Sequence, residues 1–439
     1  MTGAYAPAAP PRAFAPPRTT LRVATVVRAA LWVLLAGNLA RLPALTSGAR
    51  EAPILVNDLA VMAILVAGLL AMAARGRVVL DGPARLALVF AGVGAMSAVL
   101  AVPRFGLSLH DLLFSLAYLA RWLAYFGVYI VVVNCASRED VRSILGTLEA
   151  VVLVFSLFGI LQSAFLPGFA QLVYPDSQVY IDWDAQGNRL VSSFLDPNFA
   201  GAFVCFGLLC AIARMTCGER VAGWRIGVLV LALLLTASRS SLLAALAGGA
   251  AIAFTVGVSR RVARVGLVFV ILMLPALPLL VAFGRQYGKL SIDASALTRV
   301  VSWLRALRML ADHWVIGVGF NTYGFAQRAY GYEAGRGAFG FSLDGGLLFI
   351  AVMTGLVGTT LFVAMLWRIG RRARALCRSA DAAPIQRASG AAAIAVVAAL
   401  LVHSLFVNSL LLPFLMEPLW ILCALPLAAL RAPNDAAAA

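Results

Sequence analysis

Gly346-Leu347-Leu348-Phe349-Ile350-Ala351-Val352-Met353-Thr354-Gly355-Leu356-Val357-Gly358-Thr359-Thr360-Leu361-Phe362-Val363-Ala364-Met365-Leu366-Trp367 carries no charge, and it ends on Arg368, Arg371, Arg372, Arg374 and Arg378. A helix needs about 20 apolar residues to cross the hydrocarbon core of a bilayer. A run of that length finished by arginines reads as a membrane span whose basic end stays on the cytoplasmic side.

The pattern recurs along the chain. Apolar runs at 21–43, 53–74, 84–102, 112–134, 143–166, 198–216, 222–237, 241–258, 263–283, 388–410 and 412–430 join 346–368. The expectation is an all-α polytopic membrane protein with about twelve transmembrane helices. Composition agrees, because a chain that is 62% hydrophobic and 12% charged, with a mean hydropathy of +0.93, is richer in apolar residues than a water-soluble core requires. The glycines and alanines of 241–258 predict close helix packing there.

Basic residues orient the chain. With the N-terminus inside, Arg22 and Arg28, then Arg75, Arg77 and Arg85, then Arg138 and Arg142 fall on one side, followed by Arg214, Arg220, Arg225, Arg260, Arg261, Arg264 and Arg431. Short segments on the other side hold only Arg41, Arg50, Arg104 and Arg239. Both termini are therefore expected in the cytoplasm. The lead-in 1–20 lacks the apolar core of a cleaved signal and reads as a disordered tail, as does 432–439, leaving 21–431 as one transmembrane domain. The net charge of +16 is scattered in short clusters between spans, which argues against nucleic acid as a partner and for the membrane lipid. Cys135, Cys205, Cys210, Cys217, Cys377 and Cys423 lie outside the long outer loops at spacings that match neither a disulfide framework nor a metal site.

Two long loops, 167–197 and 284–345, fall outside. They carry Arg189 in the first and Arg285, Lys289, Arg299, Arg305, Arg308, Arg328 and Arg336 in the second. Solvation of an exposed surface is one account of these charges, and an anionic ligand at the outer membrane face is the other. In 295–314 apolar residues recur at helical spacing (Leu297, Val301, Leu304, Leu307, Leu310), with Arg299, Arg305 and Arg308 between them. This predicts an amphipathic helix on the membrane surface with a cationic face. Arg121, well inside the fourth span, needs a partner or a wet cavity. It has either a polar cavity, which His403 and Asn408 would share, or an ion pair with Glu417.

Four stretches in order resemble the O-antigen ligase and polymerase superfamily: Arg189 with Ser193-Phe194-Leu195-Asp196-Pro197-Asn198; Leu235-Thr236-Ala237-Ser238-Arg239-Ser240; Arg299-Val300-Val301-Ser302-Trp303 leading to Gly317-Val318-Gly319-Phe320; and Thr354-Gly355-Leu356-Val357-Gly358. The resemblance implies a metal-independent, cofactor-free, inverting glycosyltransferase of a bacterial inner membrane, working at its periplasmic face. Its donor would be a glycan on undecaprenyl diphosphate. Its acceptor would be a sugar hydroxyl on a second lipid-linked repeat unit or on lipid A core, and a chain-length regulator is a further partner that such a polymerase admits. Arg239 and Arg299 would stabilise the leaving diphosphate, with Arg189, Asn198, Arg121, Trp303 and Arg308 binding substrate. The ligases carry a histidine ahead of the Thr-Gly-Leu stretch where this chain has Asp344. An aspartate there can act as the general base or cap the following helix, and the departure moves weight from ligase to polymerase.

Two other classes fit the span count. A secondary transporter of twelve spans would show repeated halves and binding groups near the midplane, whereas this sequence has no internal repeat and its polar residues concentrate in outer loops. A non-catalytic partner in a polysaccharide export assembly is the third reading.

Overall fold

A computed structural model describes residues 22–47, 50–175, 187–257, 292–332 and 343–430. Its helices, in chain order, are α1 (Val23–Val33), α2 (Val56–Ala74), α3 (Gly82–Phe105), α4 (Leu109–Cys135), α5 (Asp140–Phe165) and α6 (Phe169–Val173). They continue as α7 (Pro197–Thr216), α8 (Gly223–Leu235), α9 (Arg239–Val256), α10 (Ile292–Asp312), α11 (Tyr323–Ala329), α12 (Gly346–Arg378), α13 (Pro384–His403) and α14 (Pro413–Ala428). By length and composition, eight of them can cross a membrane: α2, α3, α4, α5, α7, α9, α12 and α13. The stretch Val23–Leu39, α8 and α14 are shorter apolar helices. The expected tails and the expected span 263–283 lie outside the described residues, as do Arg285, Lys289 and Arg336.

The first span is a correction. Helix α1 gives way to a 3₁₀ turn, Leu34–Leu39, and then to a two-stranded antiparallel hairpin, β1 (Arg41–Ser47) against β2 (Arg50–Leu55). Apolar content alone extended the helix to residue 43. Gly37, at φ 51, departs from helical geometry, and Pro43 falls where the ladder register shifts between Leu42 and Leu45, as expected for a residue that cannot donate to it.

Helix α13 is the hub. It packs against α9, α12, α7 and α14, and its buried residues are mostly small, including Ala388, Gly390, Ala391, Ala392, Ala395 and Ala399. The expected close packing of the Gly/Ala stretch in α9 is real at Gly248, where a Cβ would lie 2.9 Å from Ala395 O and 2.5 Å from Leu209 Cδ1. Small residues of this kind let backbones approach in lipid, where helices gain little from excluding water.

Helix α12 is broken. Gly355 has φ 65 and ψ −170 inside it, and the segment after α10 fills the break. Val318 N donates to Val352 O (2.8 Å) and Gly319 N to Met353 O (3.2 Å), while Leu356 N and Val357 N donate to Trp314 O (2.7 Å) and Val315 O (3.2 Å). Backbone groups freed inside a span must be re-paired by protein. The Gly317-Val318-Gly319 and Thr354-Gly355-Leu356 motifs, far apart in sequence, are thus two sides of one hydrogen-bonded joint. Phe320 N donates to Ser97 Oγ (3.1 Å) and Arg104 Nη1 to Gly317 O (3.3 Å), which ties the joint to α3.

The amphipathic helix is present as α10, and two of its three expected surface arginines turn toward the protein. Val300, Leu304 and Leu307 are exposed, while Arg299 reaches Asp344 and the Arg305 guanidinium lies 5.0 Å over the Tyr332 ring. Ala306 and Met309 are buried, with Trp303 and Leu310 packed against the core, so the seam that seats the helix turns these two arginines toward the protein. Arg308 stays exposed.

Candidate active site

Helices α7, α9 and α12 all begin on the same side of the bundle, the side that carries the long loops. Asp196 and Ser238 cap α7 and α9: Asp196 Oδ1 accepts from Asn198 N (2.6 Å) and Phe199 N (3.2 Å), and Ser238 Oγ from Ser241 N (3.3 Å). Gly345 precedes α12 at φ 115. Uncompensated N–H groups at such ends carry partial positive charge and favour anions.

The segment leading into α7 is pinned from two directions. Gln162 Oε1 on α5 accepts from Val191 N (3.0 Å) and Ser192 N (3.1 Å). Arg189 Nε donates to Thr236 O (2.9 Å) and Leu190 N to Leu235 O (2.9 Å), so the first loop clasps the α8–α9 turn. Leu195 (φ 57) and Ala237 (φ 49) hold left-handed conformations immediately before the two capping residues. Strain of this kind persists where surrounding bonds over-determine the backbone, often at functional sites. Asn198 Oδ1 accepts from Ser238 Oγ (2.9 Å), which joins the first and second motifs.

Arg239, the first residue of α9, is exposed, and its guanidinium has no hydrogen-bond or ion-pair partner among the described residues. Arg299 Nε lies 3.3 Å from Asp344 Oδ2, and Trp303 Nε1 donates to Asp344 O at 2.6 Å. The Arg299 and Asp344 side chains are 33% and 53% exposed, so the pair is open to whatever occupies this face. Asp196 is buried nearby: burial pushes its carboxyl up to about 6, against the pull of the two backbone N–H groups and Arg189, while the charge of Asp344 adds to the rise.

Arg189, Asn198, Arg239 and Asp344, on neighbouring helix starts and loops, thus sit on one face with Arg299 and Trp303 of α10. Arg121 does not join them. Its Nε and Nη2 make a two-pronged ion pair with Asp58 on α2 (2.9 and 2.7 Å), and Tyr125 Oη donates to Asp58 Oδ1 (2.9 Å). The partner is therefore Asp58 instead of Glu417, which accepts from Asn57 Nδ2. Asp58 already closes the first turn of α2 through Leu55 N (2.8 Å), and this places its carboxylate within reach of α4. Arg308 stands apart on the exposed side of α10, near Tyr330 and Asp312. Asp196 was read only as part of a motif, and His403, expected in a cavity with Arg121, instead meets Ser241 on α9. The Asp-Pro-Asn order is a legible helix-start signal, but nothing in the sequence brings His403 to α9.

Residues 226–363 match the family model Wzy_C, described as O-antigen ligase. That match, over about a third of the chain, supports the resemblance carried by the motifs within this segment. No curated protein matches the chain. The matched segment runs from α8 into α12, so it contains the exposed Arg239, the Arg299–Trp303–Asp344 cluster and the joint between Gly317 and Gly355. Arg189 and Asn198 reach it from outside the segment, through Thr236 and Ser238.

Proposed function

We propose that the protein is a glycosyltransferase of the bacterial inner membrane, with both termini cytoplasmic, that moves a glycan from undecaprenyl diphosphate to a sugar hydroxyl at the periplasmic face. The observation that carries the reading is the Arg299–Asp344 pair, held by Trp303 at the start of α12 on the face where α7 and α9 also begin and where Arg239 has no partner among the described residues. In the transfer, the acceptor oxygen attacks the anomeric carbon as the bond from that carbon to the diphosphate oxygen breaks, and the configuration inverts. Negative charge gathers on the departing diphosphate, where Arg239, Arg299 and the helix ends stabilise it. The hydroxyl proton passes to the Asp344 carboxylate. Arg189, which clasps the turn before Arg239, adds to the positive field at that face.

Repeat-unit polymerisation is the leading form, supported by Asp344 at the position where the ligases have histidine. Ligation to lipid A core is the second reading, favoured by the O-antigen ligase description of the matched segment. Arg239→Ala and Arg299→Ala are each expected to lower surface polysaccharide yield at least tenfold at normal protein level. An unchanged product would overturn the assignment. If the chain polymerises, the residual material is core bearing a single repeat unit. If it ligates, the core is bare and polymer stays on the lipid carrier.

A further inference from the structure

His403, the last residue of α13, is wholly buried in the hub of the bundle and lies behind the candidate site. Its Nε2 is 3.2 Å from Ser241 Oγ, in the first turn of the helix that begins with Arg239. Ser241 Oγ in turn contacts Asn198 O (3.1 Å) and Ser238 Oγ (2.9 Å), and Ser238 Oγ meets Asn198 Oδ1 (2.9 Å) and Ser240 Oγ (3.1 Å). Carbonyl oxygens only accept, so Asn198 Oδ1 takes the Ser238 proton. With the Ser241 proton on Asn198 O or Ser238 Oγ, both within reach, His403 is the donor through Nε2–H, and its buried Nδ1 has no hydrogen-bond partner among the described residues.

The next residues along the chain reach the other half of the site. A Cβ on Gly345, adjacent to Asp344, would lie 3.5 Å from Leu405 O and 3.4 Å from Trp303 Nε1, and one on Gly346 would lie 3.4 Å from both Asn408 Oδ1 and Ser404 Cβ. The end of α13 therefore touches the turn that carries Arg239 on one side and the turn that carries Asp344 on the other. Ala237, in its left-handed conformation, lies between this network and the Arg189 clasp, with Ala237 N donating to Leu234 O (2.9 Å) and Ser238 N to Thr236 Oγ1 (3.3 Å).

We infer that His403 is a positioning residue that, as a hydrogen-bond donor to Ser241, fixes the first turn of α9 so that Arg239 faces the reacting diphosphate alongside Asp344. The inference rests on the transferase reading for its effect on rate, while its structural half stands alone. A displacement of about 1 Å in a group that stabilises the transition state costs up to a hundredfold in rate, so His403→Leu is expected to lower kcat roughly tenfold to a hundredfold while KM for the lipid-linked donor changes less than about twofold. His403→Gln keeps a donor at nearly the same reach, and it is expected to restore most of kcat.

The test pairs kinetics of the reconstituted full-length protein with a spin label attached at Arg239→Cys. The label should be immobilised in the parent and with His403→Gln, and mobile with His403→Leu. Ser241→Ala, which cuts the same link from the other end, should mobilise it as well and covers the case in which His403→Leu does not fold. Equal label mobility in all variants, or equal kcat for His403→Leu and His403→Gln, overturns the inference. Absence of transferase activity in the parent would sink the functional reading and leave the label result to decide the structural one.

Discussion

Replacing Gly317 with alanine should damage the protein out of proportion to the one methyl group it adds. Gly317 sits at φ +76, and a Cβ there would lie 2.4 Å from Val352 O, 2.5 Å from Met353 C and 2.6 Å from Thr354 N. All three are backbone atoms of the broken helix α12, so no side chain can rotate away. The left-handed conformation alone costs an L-residue about 1–2 kcal/mol. Relieving the clash moves the segment off α12 and loosens the bonds from Val318 N to Val352 O and from Gly319 N to Met353 O. Each buried polar group left unpaired costs about 1–3 kcal/mol, so the total is about 3–8 kcal/mol, a large part of the ~5–15 kcal/mol that holds a typical domain together. Gly370→Ala, in the same helix, is the control: nothing lies within 4 Å of its Cβ position, and alanine is favoured there by about 0.5–1 kcal/mol. Thermal unfolding in one detergent, followed by loss of the monodisperse chromatographic peak, should find Gly317→Ala melting far below the parent and Gly370→Ala at or above it. Parent-like melting of Gly317→Ala would refute the account of the α12 break.

The ion pair of Arg121 and Asp58 should behave as a unit. Arg121→Ala strands a carboxylate at membrane depth and should destabilise by about 3 kcal/mol, the lower end for a buried pair because both side chains are 19% exposed. Adding Asp58→Asn should recover most of that loss, and additive losses in a double-mutant cycle would deny the coupling. Asp196 predicts a pH dependence: its folded carboxyl titrates at about 6, above the ordinary value of 3.8. The native state then holds the proton more tightly than the unfolded chain, so stability from this group is full at low pH and falls as pH rises from about 4 to 6, by about 3 kcal/mol. Asp196→Asn, which keeps a capping oxygen, should flatten that part of the melting-temperature profile, and an unchanged slope would refute the assignment. For the reaction itself, Asp344→Asn should lower turnover by about 10²–10⁴-fold if the carboxylate takes the acceptor proton. Near-full activity would reduce Asp344 to a residue that only orders the start of α12.

The spans were legible in the sequence because lipid demands long uninterrupted apolar runs, and eight appear as helices that can cross a membrane. The first was overextended, since hydropathy does not register the break at Gly37 or the proline in the strand that follows. An amphipathic helix could be read from the spacing in 295–314, but not the direction of its arginines, which the buried seam at Ala306 and Met309 decides. Pairings across long sequence distances were beyond reach from one chain. Asp58 is 63 residues from Arg121, and Ser241 is 162 from His403. Nothing in the sequence says what the motif glycines do. Gly317 and Gly355 in fact let two backbones meet at a break in a span, a role that only the fold reveals.

The proposed transfer requires that Arg239 and Arg299 form a preorganised seat for a phosphorylated isoprenoid head. Its most direct test is the binding of undecaprenyl diphosphate to the purified protein in detergent with a chelator present, compared with Arg239→Ala, Arg299→Ala and the exposed Arg308→Ala. Saturable binding by the parent and Arg308→Ala, weakened at least tenfold in the other two, is the predicted result. Equal affinity across all four proteins would contradict it.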